Sequence, residues 1–349
     1  MTWTNLLMAW YKTHKRSFPW RKTRDPYKIW LSEIILQQTR IAQGTPYYKA
    51  FVKAFPTVNE LAAADEEAVL KLWQGLGYYS RARNLHHTAK YIVSEFNSVF
   101  PDNFKELVTL KGVGDYTASA ISSICFKEPQ AVVDGNVYRL LSRYFGKNTP
   151  IDASYALKEF KSLASDLMGN EDPGDFNQAL MEFGALQCVP KNPVCSNCPF
   201  QNNCIAFNQN LISQLPFKKG KIKVTSKYFN YLVFVTPKKE TILTQRTAKG
   251  IWQQLYEFPL LESSGIIEET DIANDPLLLK YTNPEGIQII KLNEKPIKHK
   301  LSHQQLYITF WKVKTKDILG PLILEKNIRN YPVPIVLGNF IENFYLSNQ

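Results

Sequence analysis

Over the first 205 residues the apolar positions recur at three- and four-residue spacing, in stretches bounded by capping and turn residues. Asp25-Pro26 opens YKIWLSEIILQQTR, with Asp as N-cap and proline at the first helical position, where its missing N–H is not needed. Thr57-Val58-Asn59-Glu60 has capping-box spacing before ELAAADEEAVLKLW, a helical stretch that ends at Gly75 and Gly77. NFKELVTL, KGVG and DYTASAISSICF read as helix, glycine hairpin and helix. Asp134 precedes a further helix, GNVYRLLSRYF, and DFNQALMEFGALQC reads as another. Near residue 206 the texture changes. AFNQNLISQLPFKKGKIKVTSK is polar, then basic; YFNYLVFVTP, ETILTQRT and QQLYITFWKVK after it are β-rich and alternate with period two in parts. The pattern predicts a multidomain α and α+β chain: an all-helical domain over 1–205, a basic linker over 206–227 and an α+β domain over 228–349. A length of 349 residues, more than one core usually holds, agrees with that division.

Composition narrows the class. Hydrophobic residues make up 44% of the chain, too many for a disordered one. No apolar run is long enough to span a bilayer, and the N-terminus MTWTNLLMAWYKTHKR lacks the apolar segment of a signal peptide, so a cytosolic location without membrane partners is expected. The net charge of +11 is unevenly placed. Residues 1–50 hold nine Lys/Arg against two acids and 218–227 hold five Lys and no acid, whereas 228–349 are nearly balanced at 14 against 12. Two basic segments on an otherwise near-neutral chain point to a polyanion, the alternative being a merely soluble basic surface.

Three features carry candidate chemistry. In Lys111-Gly112-Val113-Gly114-Asp115, two glycines beside a helix N-terminus can turn backbone N–H groups outward and hold a phosphate without reading sequence. With its flanks LVTLK and DYTASAI, this stretch resembles the helix-hairpin-helix of the base-excision DNA glycosylases, the endonuclease III superfamily. Cys188, Cys195, Cys198 and Cys204 are spaced C-x6-C-x2-C-x5-C, and four such thiolates can hold zinc or a [4Fe–4S] cluster. Their spacing and position match the iron–sulfur loop of the same superfamily. Cys125, among Ile121, Ile124 and Phe126, reads as packing. The third feature is a carboxyl pair. Glycosidic cleavage needs an acid for the leaving base and a negative charge near the cationic sugar. Glu33 lies mid-helix with Ile29, Trp30 and Leu36 as neighbours, a setting that raises a carboxyl pKa and suits a proton donor, unless it is an ordinary ion-paired surface residue. Asp134, at an N-cap, is expected to stay ionised through backbone N–H groups and the helix dipole, although most N-cap aspartates only cap.

Together these residues resemble the MutY family of adenine DNA glycosylases, from about Trp3 to the C-terminus. The resemblance is carried by RSFPWRKTRDPYKIWLSEIILQQT (16–39), GLGYYSRARNLH (75–86) and VVDGNV (132–137). It implies excision of adenine opposite 8-oxoguanine or G in double-stranded DNA, by a monomer of the bacterial cytosol or nucleoid, with a [4Fe–4S] cluster on the four cysteines. Glu33 would protonate adenine and Asp134 would stabilise the sugar cation, supported by Tyr116 and Asn136. Arg16, Arg21, Leu36 and Glu182 would line the adenine pocket, with Trp20 in the same signature. Gln38 and Tyr78 would wedge into the duplex, with Gln37 and Thr39 nearby, and Gly112, Val113 and Gly114 would hold the backbone. Otherwise Leu36 and Tyr78 are core and Gln38 is helix surface. Bifunctional relatives carry lysine where this chain has Tyr116, which implies a monofunctional hydrolase.

GIWQQLYEFP (250–259) resembles the strand-rich module of Nudix hydrolases, whose acidic catalytic box is missing here. Leu301-Ser302-His303 corresponds to the family's Phe-Ser-His stretch and implies that Ser302 and His303 sense 8-oxoguanine, the alternative being a polar strand face. Rival readings are an endonuclease III-like glycosylase/lyase for oxidised pyrimidines, opposed by Tyr116 and the long second domain, and a non-catalytic damage binder, opposed by the presence of both carboxylates.

Overall fold

The computed structural model describes residues 2–220, 224–283 and 285–346, so residues 221–223 of the basic stretch lie outside it. Contacts group the chain into two units, Met1–Ala63 with Asn84–Gly220, and Ala64–Arg83 with Lys221–Gln349. In chain order the helices through the first 208 residues are α1 (Trp3–His14), α2 (Pro26–Leu36), α3 (Ile41–Ala54), α4 (Val58–Ala63), α5 (Glu66–Trp73), α6 (Ser80–Glu95), α7 (Phe104–Leu107), α8 (Asp115–Phe126), α9 (Gly135–Phe145), α10 (Ala156–Met168), α11 (Pro173–Leu186) and α12 (Ile205–Asn208). The capping signal acts as expected at α2, where Asp25 accepts the Tyr27 N–H at 3.0 Å; α7 is capped by Asn103, which accepts the Glu106 N–H at 3.0 Å. The stretch after Thr57 differs. Glu60 accepts the Thr57 N–H at 2.8 Å, but the Thr57 hydroxyl turns to the same carboxylate, leaving half a capping box. The helical stretch breaks into α4 and α5 because Asp65 adopts an extended N-cap conformation.

In the first unit α2 is buried nearly all round: Tyr27 and the run Ile29 to Ile35 are all buried, including Ser32 and Glu33. Such a helix must be enclosed by neighbours. Helix α8 supplies one wall through Thr117 to Ser123, a wholly buried run dominated by Ala and Ser that lets the two backbones come close. A second layer packs α1, α9, α10 and α11 around Leu7, Trp10, Leu140, Phe160, Phe176 and Phe183.

The second unit is built on a sheet of β1 (Thr225–Val235), β5 (Leu260–Ser263), β6 (Gln288–Lys291), β7 (Ile297–Lys300) and β8 (Gln304–Lys314), ordered β5-β1-β8-β6 with β7 also paired to β8. Short pairs β2 (Glu240–Thr241) with β9 (Ile323–Leu324) and β3 (Thr244–Gln245) with β4 (Tyr256–Glu257) complete the strands. The long strands β1 and β8 run parallel from Thr225 opposite Gln304 to Val235 opposite Lys314, and the other pairings are antiparallel. Period-two alternation is lost in β1, whose six residues Phe229 to Phe234 are all buried. A central strand covered on both faces needs no polar side. One face meets α15 (Ile335–Leu346), whose Phe340 stacks on Phe310 at 3.7 Å; the other packs Leu232, Phe234, Trp311 and Val313 against Ile272 of α13 (Glu269–Ala273) and Leu278 and Tyr281 of α14 (Pro276–Tyr281).

One close approach shapes the first unit. A Cβ added to Gly184 of α11 would lie 2.7 Å from both the Cβ and the carbonyl oxygen of Asn136. Gly184→Ala should therefore destabilise the fold by about 1–3 kcal/mol, the usual cost of forcing atoms into a packed core. Thermal unfolding of the purified variant checks this, and an unchanged Tm would show that α9 and α11 yield freely.

Candidate active site and cysteine loop

Glu33 sits at the buried centre of α2, 8% exposed. Burial pushes its pKa up to about 7; the Tyr116 hydroxyl hydrogen bonds to it and opposes the rise, the Asp134 carboxylate adds to it, and Arg21 opposes it. Tyr116 stands at the start of α8, its own pKa raised far above the ordinary value by burial and by Glu33, so it is a neutral phenol and a donor. Its hydroxyl also lies 3.5 Å from Met181 Sδ. Helix positions from two parts of the chain thus bring the predicted acid and its supporting hydroxyl together.

Asp134 is the N-cap of α9. Its Oδ1 accepts the Asn136 and Val137 N–H groups, both at 2.8 Å, and its Oδ2 accepts Asn136 Nδ2 at 2.7 Å. The cap is as expected, but the charge balance is not: burial outweighs these donors and raises the Asp134 pKa. Sequence alone signals the donors and not the depth. Two residues that sequence reasoning did not single out hold this cap. Asn177, fully buried on α11, accepts the Val132 N–H at 3.0 Å and donates to the Gln130 carbonyl at 2.7 Å, fixing the segment that leads into Asp134. Arg139, buried one turn into α9, donates to Asn136 Oδ1 at 2.8 Å, to the Gly184 carbonyl at 2.6 Å and to the Cys188 carbonyl at 2.7 Å. A chain of hydrogen bonds therefore runs from the Asp134 carboxylate through Asn136 and Arg139 to the cysteine loop.

A cavity of about 270 Å³ opens beside Glu33, lined by Arg16, Trp20, Arg21, Arg24, Ile29 and Gln178 among others. Glu182 binds Arg16 at 2.8 and 2.9 Å and Arg21 at 2.8 Å. Burial would raise the Glu182 pKa, but these two arginines outweigh it and hold the carboxyl down at about 2. Both guanidinium groups also lie over Phe18, which stacks on Trp20. Glu182 stands behind the arginines, and Leu36 packs over Gly44, so neither is among the residues lining this cavity.

Gln37 closes α2 and its amide donates to Thr117 at 3.2 Å, while Thr39 bonds back to the Gln37 carbonyl at 3.3 Å. Gln38, between them, is exposed with φ of 54°, and Tyr78, in the other unit, is 49% exposed with φ of 49°. Left-handed backbone at non-glycine residues is strained and concentrates where function needs a fixed projection. In the hairpin, Gly112 has φ of 81° and Gly114 is the extended N-cap of α8. Val113 does not turn its N–H outward: it donates to the Leu110 carbonyl at 3.0 Å.

The four clustered cysteines line one cavity of about 30 Å³ with Arg143, Tyr144, Phe183 and Phe200, and Cys125 lies apart on α8. Arg143, one turn beyond Arg139, donates to the Val189, Pro190 and Leu215 carbonyls and reaches 3.5 Å from Cys188 Sγ. Among the described residues no three His, Cys, Asp or Glu side chains are set to share one metal ion. A single zinc needs its ligands that close, whereas in a [4Fe–4S] cluster each thiolate meets its own iron. Burial raises the Cys195, Cys198 and Cys204 thiol pKa values, and the neighbouring thiols raise them further.

In the second unit Leu301, Ser302 and His303 form the turn between β7 and β8, closed by the Leu301 N–H on the Gln304 carbonyl at 2.8 Å, and are not on a strand face. Ser302 and His303 are exposed, and the Tyr78 and Ser302 hydroxyls hydrogen bond to each other.

Known proteins place this arrangement. A family model of HhH-GPD superfamily base excision DNA repair proteins matches residues 31–165, and a NUDIX domain model matches 230–343, in agreement with the expected fold. An adenine DNA glycosylase from Buchnera aphidicola subsp. Baizongia pistaciae is 36% identical over 312 residues, 89% of this chain and 86% of that protein. The chain belongs to the adenine DNA glycosylase family. It is accordingly a base-excision-repair enzyme, a hydrolase of N-glycosyl bonds in DNA. The family member from Rattus norvegicus is 42% identical over 222 residues, 60% of this chain and 43% of the rat protein. Among solved structures, a thermostable thymine-DNA glycosylase is 30% identical with a TM-score of 0.56, covering 59% of this chain and 95% of that one. An endonuclease III trapped as a covalent intermediate on DNA is 20% identical with a TM-score of 0.53, covering 60% and 95%, and shows the shared fold. No helix among the described residues is long and apolar enough to cross a membrane.

The Asp134–Asn136–Arg139 chain makes a specific demand on this family's chemistry. Arg139→Gln leaves the Cys188 and Gly184 carbonyls without their charged donor and frees Asn136 to rotate. Excision under single-turnover conditions should slow about 10- to 100-fold, the range seen when a group that orients a site residue is lost. Binding of the duplex should persist. Equal loss of affinity and rate would mean that Arg139 serves folding alone.

Proposed function

We propose that this enzyme removes adenine paired with 8-oxoguanine or G, by hydrolysis without strand cleavage. Glu33 is the proton donor to the departing base and Asp134 the anion facing the sugar cation. The observation that carries the reading is a carboxyl buried beside a neutral phenol and a second carboxyl, with its pKa near 7. Such a group is half protonated at neutrality, the optimum for a general acid. Asp134, held by three N–H donors, complements the positive charge that develops as the bond breaks. Tyr116 hydrogen bonds to Glu33, and Asn136 and Arg139 orient Asp134. Tyr116 also supports the monofunctional assignment, because a phenol kept neutral offers no amine to form a Schiff base. Lys111 is exposed on the hairpin, and Lys161 is bound to Asp115 at 2.8 Å.

The remaining roles follow the same reading. Arg16, Trp20 and Arg21 border the cavity that would receive the flipped base, with Glu182 fixing both arginines. Gln38 and Tyr78 would fill the gap in the duplex, flanked by Gln37 and Thr39, since a flipped base leaves a hole to be wedged. The Gly112–Gly114 hairpin would hold phosphate, and Ser302 and His303 would read 8-oxoguanine. Cys188, Cys195, Cys198 and Cys204 would hold a [4Fe–4S] cluster, whose part is to shape the loop and not to act on the glycosidic bond. The domain division is 1–205, 206–227 and 228–349, and the enzyme works as a monomer in the cytosol or nucleoid.

Two experiments test this reading. Glu33→Gln keeps size and hydrogen bonding but has no proton to give; it should bind an A:8-oxoguanine duplex normally and release adenine at least ~100-fold more slowly. In the native enzyme the excision rate should fall as pH rises through about 7, because deprotonation removes the acid. The product strand should stay intact until alkali is added. Full adenine release by Glu33→Gln, or nicking without alkali, would overturn the mechanism. Independently, protein made with ample iron should be yellow-brown with about four iron per chain, and stoichiometric zinc would contradict the cluster.

A further inference from the structure

Asp115 stands where a phosphate-holding hairpin should not carry an acid. It is the first residue of α8, directly after Gly114. Gly114 puts no side-chain cap on the first-turn N–H groups, and a Cβ built there would meet nothing within 4 Å, so the approach to them is open. Open N–H groups at a helix N-terminus favour an anion, whereas a carboxylate beside them repels one. Lys161, on α10, answers that charge. Its ammonium donates to the two Asp115 oxygens at 2.9 and 2.8 Å and to Ser119 Oγ at 3.0 Å. The same group lies over the Phe104 ring at 4.3 Å. Phe104 opens α7 and Ser119 lies one turn into α8, so one ammonium touches the helices on both sides of the hairpin. The pair is largely sheltered from water, the Lys161 side chain being 18% exposed and that of Asp115 30%. Thr88 of α6 holds the other flank of the hairpin, donating to the Lys111 carbonyl at 2.8 Å.

We propose that Lys161 is a positioning residue for DNA binding: it cancels the Asp115 charge at the hairpin and so lets the hairpin accept a phosphate. The inference rests on the reading of the Gly112–Gly114 hairpin as a phosphate holder. An ammonium has three donors, and here two go to the carboxylate and one to the hydroxyl. Lys161 therefore has none left for the phosphate itself, and its effect passes through Asp115. Without it the carboxylate faces the DNA backbone uncompensated. That repulsion is electrostatic, so the loss of affinity is greatest at low salt and fades as salt screens it. A lysine that merely braced α7 against α8 would behave otherwise: its loss would not follow salt, and removing Asp115 would not repair it.

The test measures equilibrium binding of an undamaged duplex, since phosphate contacts do not depend on sequence, at about 50 mM and about 200 mM salt. Lys161→Met should weaken binding about 3- to 10-fold at the lower salt, the worth of one unit charge a few ångströms away, and by less at the higher. Lys161→Arg, which keeps the charge, should bind as the native enzyme does. Adding Asp115→Asn to Lys161→Met should return the affinity to within about twofold of native. Lys158→Met removes an equal charge from an exposed position on the same helix and should cost less. Should Lys161→Met unfold the protein, as judged by Tm, Asp115→Asn alone gives the converse: it frees the Lys161 charge, and affinity at low salt should rise. A loss that Asp115→Asn does not repair, or that Lys158→Met matches, overturns the role of Lys161 and leaves the hairpin as the phosphate holder. An affinity unmoved at both salts by Lys161→Met and by Asp115→Asn overturns the reading of the hairpin itself.

Discussion

A carboxyl group buried without a full counter-charge is the constraint around which the first unit is organised. Glu33 is enclosed because α2 is apolar on nearly every side, so wherever that helix packs the carboxyl goes with it. The folded-state pKa of about 7 lies above the ordinary carboxyl value, so the folded protein binds this proton more tightly than the unfolded chain. The stability linked to it is fully present below the unfolded pKa and is lost as pH rises through about 7. A difference of that size amounts to roughly 3 kcal/mol at alkaline pH, a large share of a domain's total stability. Tyr116 limits the cost by hydrogen bonding, and Asp134 increases it. The proposed proton donor is thus the group that costs the fold stability at alkaline pH.

The same logic reaches the cysteine loop. Arg139 and Arg143 lie one turn apart on α9 and spend their N–H groups on carbonyls of that loop and of α11. Helix α9 is therefore capped by Asp134 at one end and tied along its buried side to the cysteine cavity. The second unit reuses a Nudix-type sheet without the acidic box, and a cavity in it is bordered by the Tyr78 and Ser302 hydroxyls and by Trp252 and His299.

Much of this was legible in the residues because the governing physics is local. Asp25 and Asp134 are caps whose signals lie within three residues of what they bond, and the four closely spaced cysteines line one cavity. What was not legible depends on depth or on tertiary partners. The rise in the Asp134 pKa comes from burial, which no cap motif encodes. The break at Asp65 falls within a continuous helical pattern. Gln38 and Tyr78 take left-handed backbone with no glycine to signal it, Val113 turns its N–H inward, and Ser302 sits in a turn just ahead of the alternating segment. Arg139, Asn177 and Lys161 look like ordinary polar residues until their partners are seen.

The central claim is that Glu33 is still protonated near neutral pH because it is buried. Infrared difference spectroscopy across a pH titration reports this directly, through the protonated carboxyl stretch present in the native enzyme and absent from Glu33→Gln. The account predicts that this band disappears with a midpoint near 7. A midpoint in the ordinary glutamate range, about 4.3, would contradict it.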